Sequence, residues 1–263
     1  MDIILVAIFG LVVGSFLNVV VLRMHAGRDY KRGRSACPHC GHELSASELV
    51  PVFSWLIQRG RCKHCGKAIS IQYPIVELIT AGLFLGAYLT QPLFSLADYL
   101  VLAMWFYIIG SLVVLAVYDL RWYLLPDKIL IPVIIPATAI LLAETLVFRH
   151  ISSIWHPFLA ALAFGGAFYA IAAVSRGKWM GGGDIKLAFV MGLLLGLQKT
   201  ALAMLLAFCT AALVGGLLIL LGRKTRKDFI PFGPFLIGGT LVAYLYGTPI
   251  IHWYLNISGL NLL

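Results

Sequence analysis

The chain has 263 residues, of which 61% are hydrophobic and only 12% charged, and its formal net charge is +9. A mean hydropathy of +0.94 excludes an ordinary soluble enzyme or binding module and puts the chain in a bilayer. The basic residues are spread over several segments flanking apolar runs, so they read as determinants of membrane orientation and not as a nucleic-acid groove.

A hydrocarbon core of about 30 Å is crossed by about 17 to 25 mostly apolar residues. The first such run, 3–22, is preceded by Asp2 and followed by its Lys/Arg cluster, the reverse of a signal peptide, so it is expected to stay as a helix. Within it Ser15 and Asn18, three apart, share a face beside Gly14. They serve either interhelical packing and hydrogen bonding or contact with a substrate or cofactor.

Segment 23–72 holds Cys37-Pro38-His39-Cys40 and Cys62-Lys63-His64-Cys65, two C-x2-C knuckles separated by 21 residues. Four thiolates at this spacing can close a tetrahedral zinc site with bonds of about 2.3 Å, and Gly41 and Gly66 ease the turn after each knuckle. A reducing cytoplasmic location argues against two disulfides. With sulfur at all four positions the zinc is expected to be structural, leaving His39, His42 and His64 as bystanders or outer neighbours. Cys209 reads as a small buried apolar residue within a helix.

Further spans are expected at 73–89, 96–118, 129–148, 155–174, 202–221 and 235–254. An eighth, 185–197, is short, as suits a helix that starts inside the protein at the Gly181–Gly183 turn. Asp119 closes one apolar run, Asp127 follows Pro126, and Asp184 opens the short one. With the N-terminus outside, every Lys and Arg except Arg149 and Lys199 falls in cytoplasmic segments, which gives eight spans, external termini and all three aspartates at the cytoplasmic mouth. The expected fold is an all-α polytopic membrane protein: a first helix in 1–22, a zinc-ribbon-like cytoplasmic loop at 23–72 and a seven-helix membrane domain at 73–263.

Ionisable groups bordering hydrocarbon are costly and mark functional sites. Two carboxylates about 3 Å apart can share one proton, one acting as base on a water and the other as acid on a leaving group, which is the chemistry of peptide hydrolysis. A structural reading stands beside it. Asp184 and Asp127 could cap helices, and Asp119 could pair with Arg121 or Lys186. Glu77, near the start of the second span, could assist a substrate amine or simply stabilise a helix N-terminus.

The run Tyr118-Asp119-Leu120-Arg121-Trp122-Tyr123-Leu124-Leu125-Pro126-Asp127 resembles the first signature of the type IV prepilin peptidases, and Gly181-Gly182-Gly183-Asp184-Ile185-Lys186-Leu187 resembles their G-x-G-D-x-K-L signature. Gly14-Ser15-Phe16-Leu17-Asn18-Val19-Val20, the paired C-x2-C loop, Tyr73-Pro74-Ile75-Val76-Glu77-Leu78 and Pro231-Phe232-Gly233-Pro234-Phe235 follow in that family's order. The resemblance implies a G-x-G-D-type intramembrane aspartyl protease of the bacterial cytoplasmic membrane, with Asp119 and Asp184 as the catalytic dyad and Asp127, Gly181, Gly183 and Lys186 as accessory residues. It implies cleavage of a short basic leader from pilin-like precursors on the cytoplasmic side. It also implies methylation of the new N-terminus with S-adenosylmethionine, associated with the zinc-bearing loop at 23–72. Met24-His25 after Arg23 departs from the family's usual Leu-Pro.

Rival readings are a proton- or cation-coupled transporter, a prenyl transferase with Asp-held Mg²⁺ and a zinc-anchored scaffold. A transporter predicts acids near the midplane and matching broken segments in two halves, and the acids here lie at one face. A prenyl transferase needs clustered carboxylates, whereas Asp119 and Asp127 are separated by Pro126.

Overall fold

The computed structural model describes residues 3–91, 93–148, 152–225 and 228–259. Asp2, Arg149, Arg226 and Lys227, used above for orientation, lie outside these residues. The chain forms two compact units, Met1–Val114 and Leu115–Leu263.

In the first unit α1 (Ile3–His25) packs on α3 (Gln72–Thr90), with a one-turn helix, α2 (Phe53–Ile57), between them in sequence. The two long helices approach closely because α1 offers glycines: a Cβ on Gly10 would lie 2.6 Å from the Ala81 Cα, and one on Gly14 2.7 Å from the Glu77 Cα. Small residues are how helices pack where hydrocarbon gives no hydrophobic drive. Asn18, fully buried, donates to the Gly14 and Tyr73 carbonyls (both 3.3 Å) and accepts from the Gln72 side chain at 3.1 Å. Of its two expected roles, it fills the interhelical one. Rings of Phe9, Phe84 and Phe106 complete this core, the last from α4 (Leu96–Trp122). Where the chain departs at Met24-His25, α1 runs on to His25 and the Arg23 guanidinium gathers the carbonyls of Asp29, Arg32, Gly33 and Arg34.

The second unit takes the end of α4, then α5 (Asp127–Leu130), a 3-10 turn (Ile131–Val133), α6 (Ile134–Phe148), α7 (Ser152–Val174), α8 (Gly182–Leu220) and α9 (Gly233–Ser258). Again glycine sets the spacing. Gly192 of α8 lies against the Ala160–Ala161 backbone of α7, and Gly239 of α9 against Ala203 of α8. No sheet forms among the described residues, only the isolated bridges Ala36–Glu43 and Arg61–Ala68.

Six described helices are long and apolar enough to cross a bilayer, with the two pieces of α8 counted as one, so the expected count of eight is not confirmed. The fourth expected span, 129–148, is broken: Pro132 lacks an amide hydrogen, and the segment passes from α5 through the 3-10 turn into a 15-residue α6. The short 185–197 run and the 202–221 run are two helical pieces of α8 (Gly182–Leu220) that meet at a non-helical break at Gly196 (φ 69°, ψ −179°). That conformation suits glycine. The buried Thr200 hydroxyl bonds the Gly196 carbonyl at 2.6 Å and the Met191 carbonyl at 3.2 Å, so both carbonyls at the break have a donor.

Candidate active site

Asp119 sits in the last turn of α4, only 6% exposed. Its Oδ2 accepts the Gly233 N–H at 3.1 Å. Gly233 is the first residue of α9, so the bond satisfies one of the amides a helix start leaves unpaired. Asp184 is the third residue of α8, which Gly181 caps, and the Asp119 charge acts directly on it. Two helix N-termini thus bring their partial positive charge to two neighbouring carboxylates, which offsets part of the like-charge repulsion.

Leu125 locks this arrangement. It is 8% exposed; a Cβ on Gly183 would sit 2.8 Å from the Leu125 Cβ, and one on Gly233 3.3 Å from its Cδ2. The chain turns from α4 toward Leu125 through Tyr123, whose φ of 55° is uncommon for a bulky residue; its N–H bonds the Asp119 carbonyl at 2.9 Å and Lys224 lies 5.9 Å over its ring. Strain of this kind gathers at functional sites.

The structural alternatives fare differently. Lys186 pairs with Asp127, not Asp119, its Nζ lying 2.7 Å from both Asp127 oxygens, while Arg121 stands 5.7 Å over the Trp122 ring. Neither Asp127 nor Asp184 is an N-cap: Pro126 and Gly181 hold those positions, and both acids lie in first turns. The Gly233 N–H and the Leu125 wedge are missing from the sequence reading of the site; the signal for them was the Pro231–Phe235 run, whose partner lies 114 residues away.

The two knuckles fold as copies of one hairpin. Cys37 N–H bonds the His42 carbonyl and Gly41 N–H the Cys37 carbonyl; Cys62 N–H bonds the Lys67 carbonyl and Gly66 N–H the Cys62 carbonyl, all at 2.9–3.0 Å. Gly41 and Gly66 take φ of 73° and 68°, the left-handed turn that glycine permits. All four sulfurs lie within 4.8 Å of one another, and Cys37 and Cys65 are 3.9 Å apart. A tetrahedron of about 2.3 Å Zn–S bonds sets sulfurs about 3.8 Å apart, so the cluster fits one metal ion with no position left open. The His39 amide already holds the Cys37 thiol down to about 7. The His42 and His64 rings, which follow Cys40 and Cys62 closely in sequence, meet at 3.9 Å between centroids, tilted by 32°. Cys209, expected to be buried, is exposed on α8, where a small apolar side chain meets lipid as readily as protein. Glu77, 5% exposed, accepts the Val52 N–H at 2.7 Å and the Ser15 hydroxyl, so it ties the loop to α3.

Over 251 residues the chain is 37% identical to the prepilin leader peptidase/N-methyltransferase of Bacillus subtilis (strain 168), covering 95% of this chain and 97% of that protein. The chain belongs to the type IV leader peptidase family. The profile described as "Type IV leader peptidase family" matches residues 106–216, and that described as "Bacterial Peptidase A24 N-terminal domain" matches 8–91. Prepilin leader peptidase/N-methyltransferases of Aeromonas hydrophila (34% identity; 96% of this chain, 93% of that protein) and Stutzerimonas stutzeri (30%; 96% and 93%) are similar over the same extent. No solved structure matches. In this leader peptidase family member, Gly233 falls beyond both matched segments, although it holds Asp119.

Proposed function

We propose that this protein is a multi-pass membrane enzyme that cleaves the leader from pilin-like precursors with Asp119 and Asp184, and then N-methylates the new N-terminus. The observation that carries the reading is the buried Asp119 carboxylate, fixed by the Gly233 N–H, with Gly233 and the Gly183 that precedes Asp184 both packed against Leu125. In the mechanism one carboxylate of the pair is ionised and takes a proton from water, whose oxygen adds to the scissile carbonyl. The partner carboxyl gives its proton to the departing amine as the C–N bond breaks. Gly183 and Leu125 hold the acids in register, and Lys186 binds Asp127 beside them.

Residues 23–72 are the proposed methyltransferase region, stabilised by one zinc ion on Cys37, Cys40, Cys62 and Cys65; zinc supplies only cross-links there. S-adenosylmethionine, a co-substrate, supplies an electrophilic methyl group to the free amine. Basic residues flanking the spans support the cytoplasmic side of the bacterial inner membrane as the place of both reactions. Nothing in the geometry or the relatives supports the transporter reading.

The test is incubation of purified protein with a pilin-like precursor and S-adenosylmethionine, followed by intact mass. Loss of the leader plus one methyl is expected. Asp119→Asn and Asp184→Asn should block cleavage yet methylate a precursor that is already cut. Cleavage by either variant at the parent rate overturns the dyad.

A further inference from the structure

We infer that residues 49–57 form a docking surface for anionic phospholipid headgroups, holding the metal-binding loop flat against the membrane. The short helix α2 presents Phe53, Leu56 and Ile57, spaced i, i+3 and i+4, on one face, and they are 60%, 56% and 77% exposed. Leu49 and Val50 extend the patch at 40% and 46%. The other side of α2 is committed to the loop: Trp55 Nε1 donates to the Ile69 carbonyl at 3.2 Å, and its ring covers Gly60, where a Cβ would lie 2.8 Å from Trp55 Cζ2.

The height of this patch is set by α3. Val52, the cap of α2, has φ 60°, costly for a β-branched residue, and its N–H is held by the buried Glu77 carboxylate in the second turn of α3. α3 is itself a membrane-crossing candidate beginning at Gln72, so α2 starts level with the first turns of a span. At that level apolar side chains reach the boundary between headgroups and acyl chains.

Charge selects the occupant. Arg59, Arg61, Lys63 and Lys67 follow α2 and are exposed, and no Asp or Glu stands between Leu49 and Val76. A second copy would bring the same positive patch against its like, whereas an anionic lipid layer matches both the apolar face and the basic flank. The inference is independent of which reaction the enzyme performs.

The test places p-benzoylphenylalanine at Phe53, Ile57 or, as a control elsewhere in the loop, exposed Glu43 in the full-length protein. Each is reconstituted in phosphatidylglycerol nanodiscs, irradiated and weighed intact; equal elution volumes show that the variants fold. Lipid adducts at positions 53 and 57 are expected to exceed those at 43 by about tenfold. They should fall about threefold in phosphatidylcholine discs, and likewise in phosphatidylglycerol for the double variant Arg59→Glu, Arg61→Glu. Adducts no more frequent than at 43, or equal in both lipids, overturn the proposal. So do dominant cross-links to a second copy of the chain or to another protein.

Discussion

Gly233→Ala tests whether Asp119 is a positioned catalytic group. The new Cβ would stand 2.6 Å from Asp119 Oδ2 and 3.2 Å from its Cγ. Relief to an ordinary contact moves the carboxylate by roughly 0.8 Å, and since about 1 Å of misplacement costs on the order of 10²-fold, the expected loss is about 40-fold in kcat. KM for a precursor should hold, because the amide donor and the apolar surroundings remain. Gly181→Ala is the internal control: its Cβ would be 3.5 Å from Asp184 Oδ2, an ordinary contact, and its φ of −76° suits alanine. That variant should stay within about twofold of the parent. The assay is initial-rate cleavage of a pilin-like precursor in detergent, read by mass, with thermal unfolding in parallel. If Gly233→Ala cleaves as fast as Gly181→Ala at equal Tm, Asp119 is not held where hydrolysis needs it.

Gly183→Ala, whose Cβ would press 2.8 Å from the Leu125 Cβ, should lose both activity and stability, seen as a lower Tm and a kcat reduced with it. For the half-exposed Lys186–Asp127 pair, Lys186→Met and Asp127→Asn should each cost at most about 1 kcal/mol of stability. If the pair acts as one unit, the double variant cleaves no more slowly than the worse single, which a kinetic double-mutant cycle checks. Cys37→Ser or Cys62→Ser should lower bound zinc from one per chain toward zero in elemental analysis and expose the loop to proteolysis; full metal retention in both would refute the tetrathiolate site. Thr200→Val should leave the Met191 carbonyl without its bond at the α8 kink and destabilise by about 1–2 kcal/mol, measured by thermal unfolding in detergent.

What the sequence disclosed was what composition and spacing alone decide. Apolar runs mark spans because bilayer thickness fixes their length, and Cys37, Cys40, Cys62 and Cys65 announce a metal cluster because knuckle geometry is local. Asp119, Asp127 and Asp184 stood out for the same reason: a carboxylate at hydrocarbon is rare. Partnerships across the fold were hidden. That Lys186 would choose Asp127 over Asp119 depends on how α5 and α8 meet, and both choices fit the charge pattern equally. Gly233 was visible as part of a motif, but an amide donor carries no side-chain signature. The break inside 129–148 at the 3-10 turn was not legible in spacing, whereas the one at Gly196 falls where the short 185–197 run was expected to end.

The kink at Gly196 also bears on depth. The piece of α8 from 182 to 195 rises only about 21 Å, against a hydrocarbon layer of about 30 Å. Beyond the kink comes Lys199, whose ammonium seeks the nearest aqueous face. Measured from that face, Asp184, about 18 Å along the helix, stops about 12 Å short of the opposite one. On the proposed reading the acids work below the waterline, and each turnover would bring its water molecule down to them past the exposed Gly181 and Gly182.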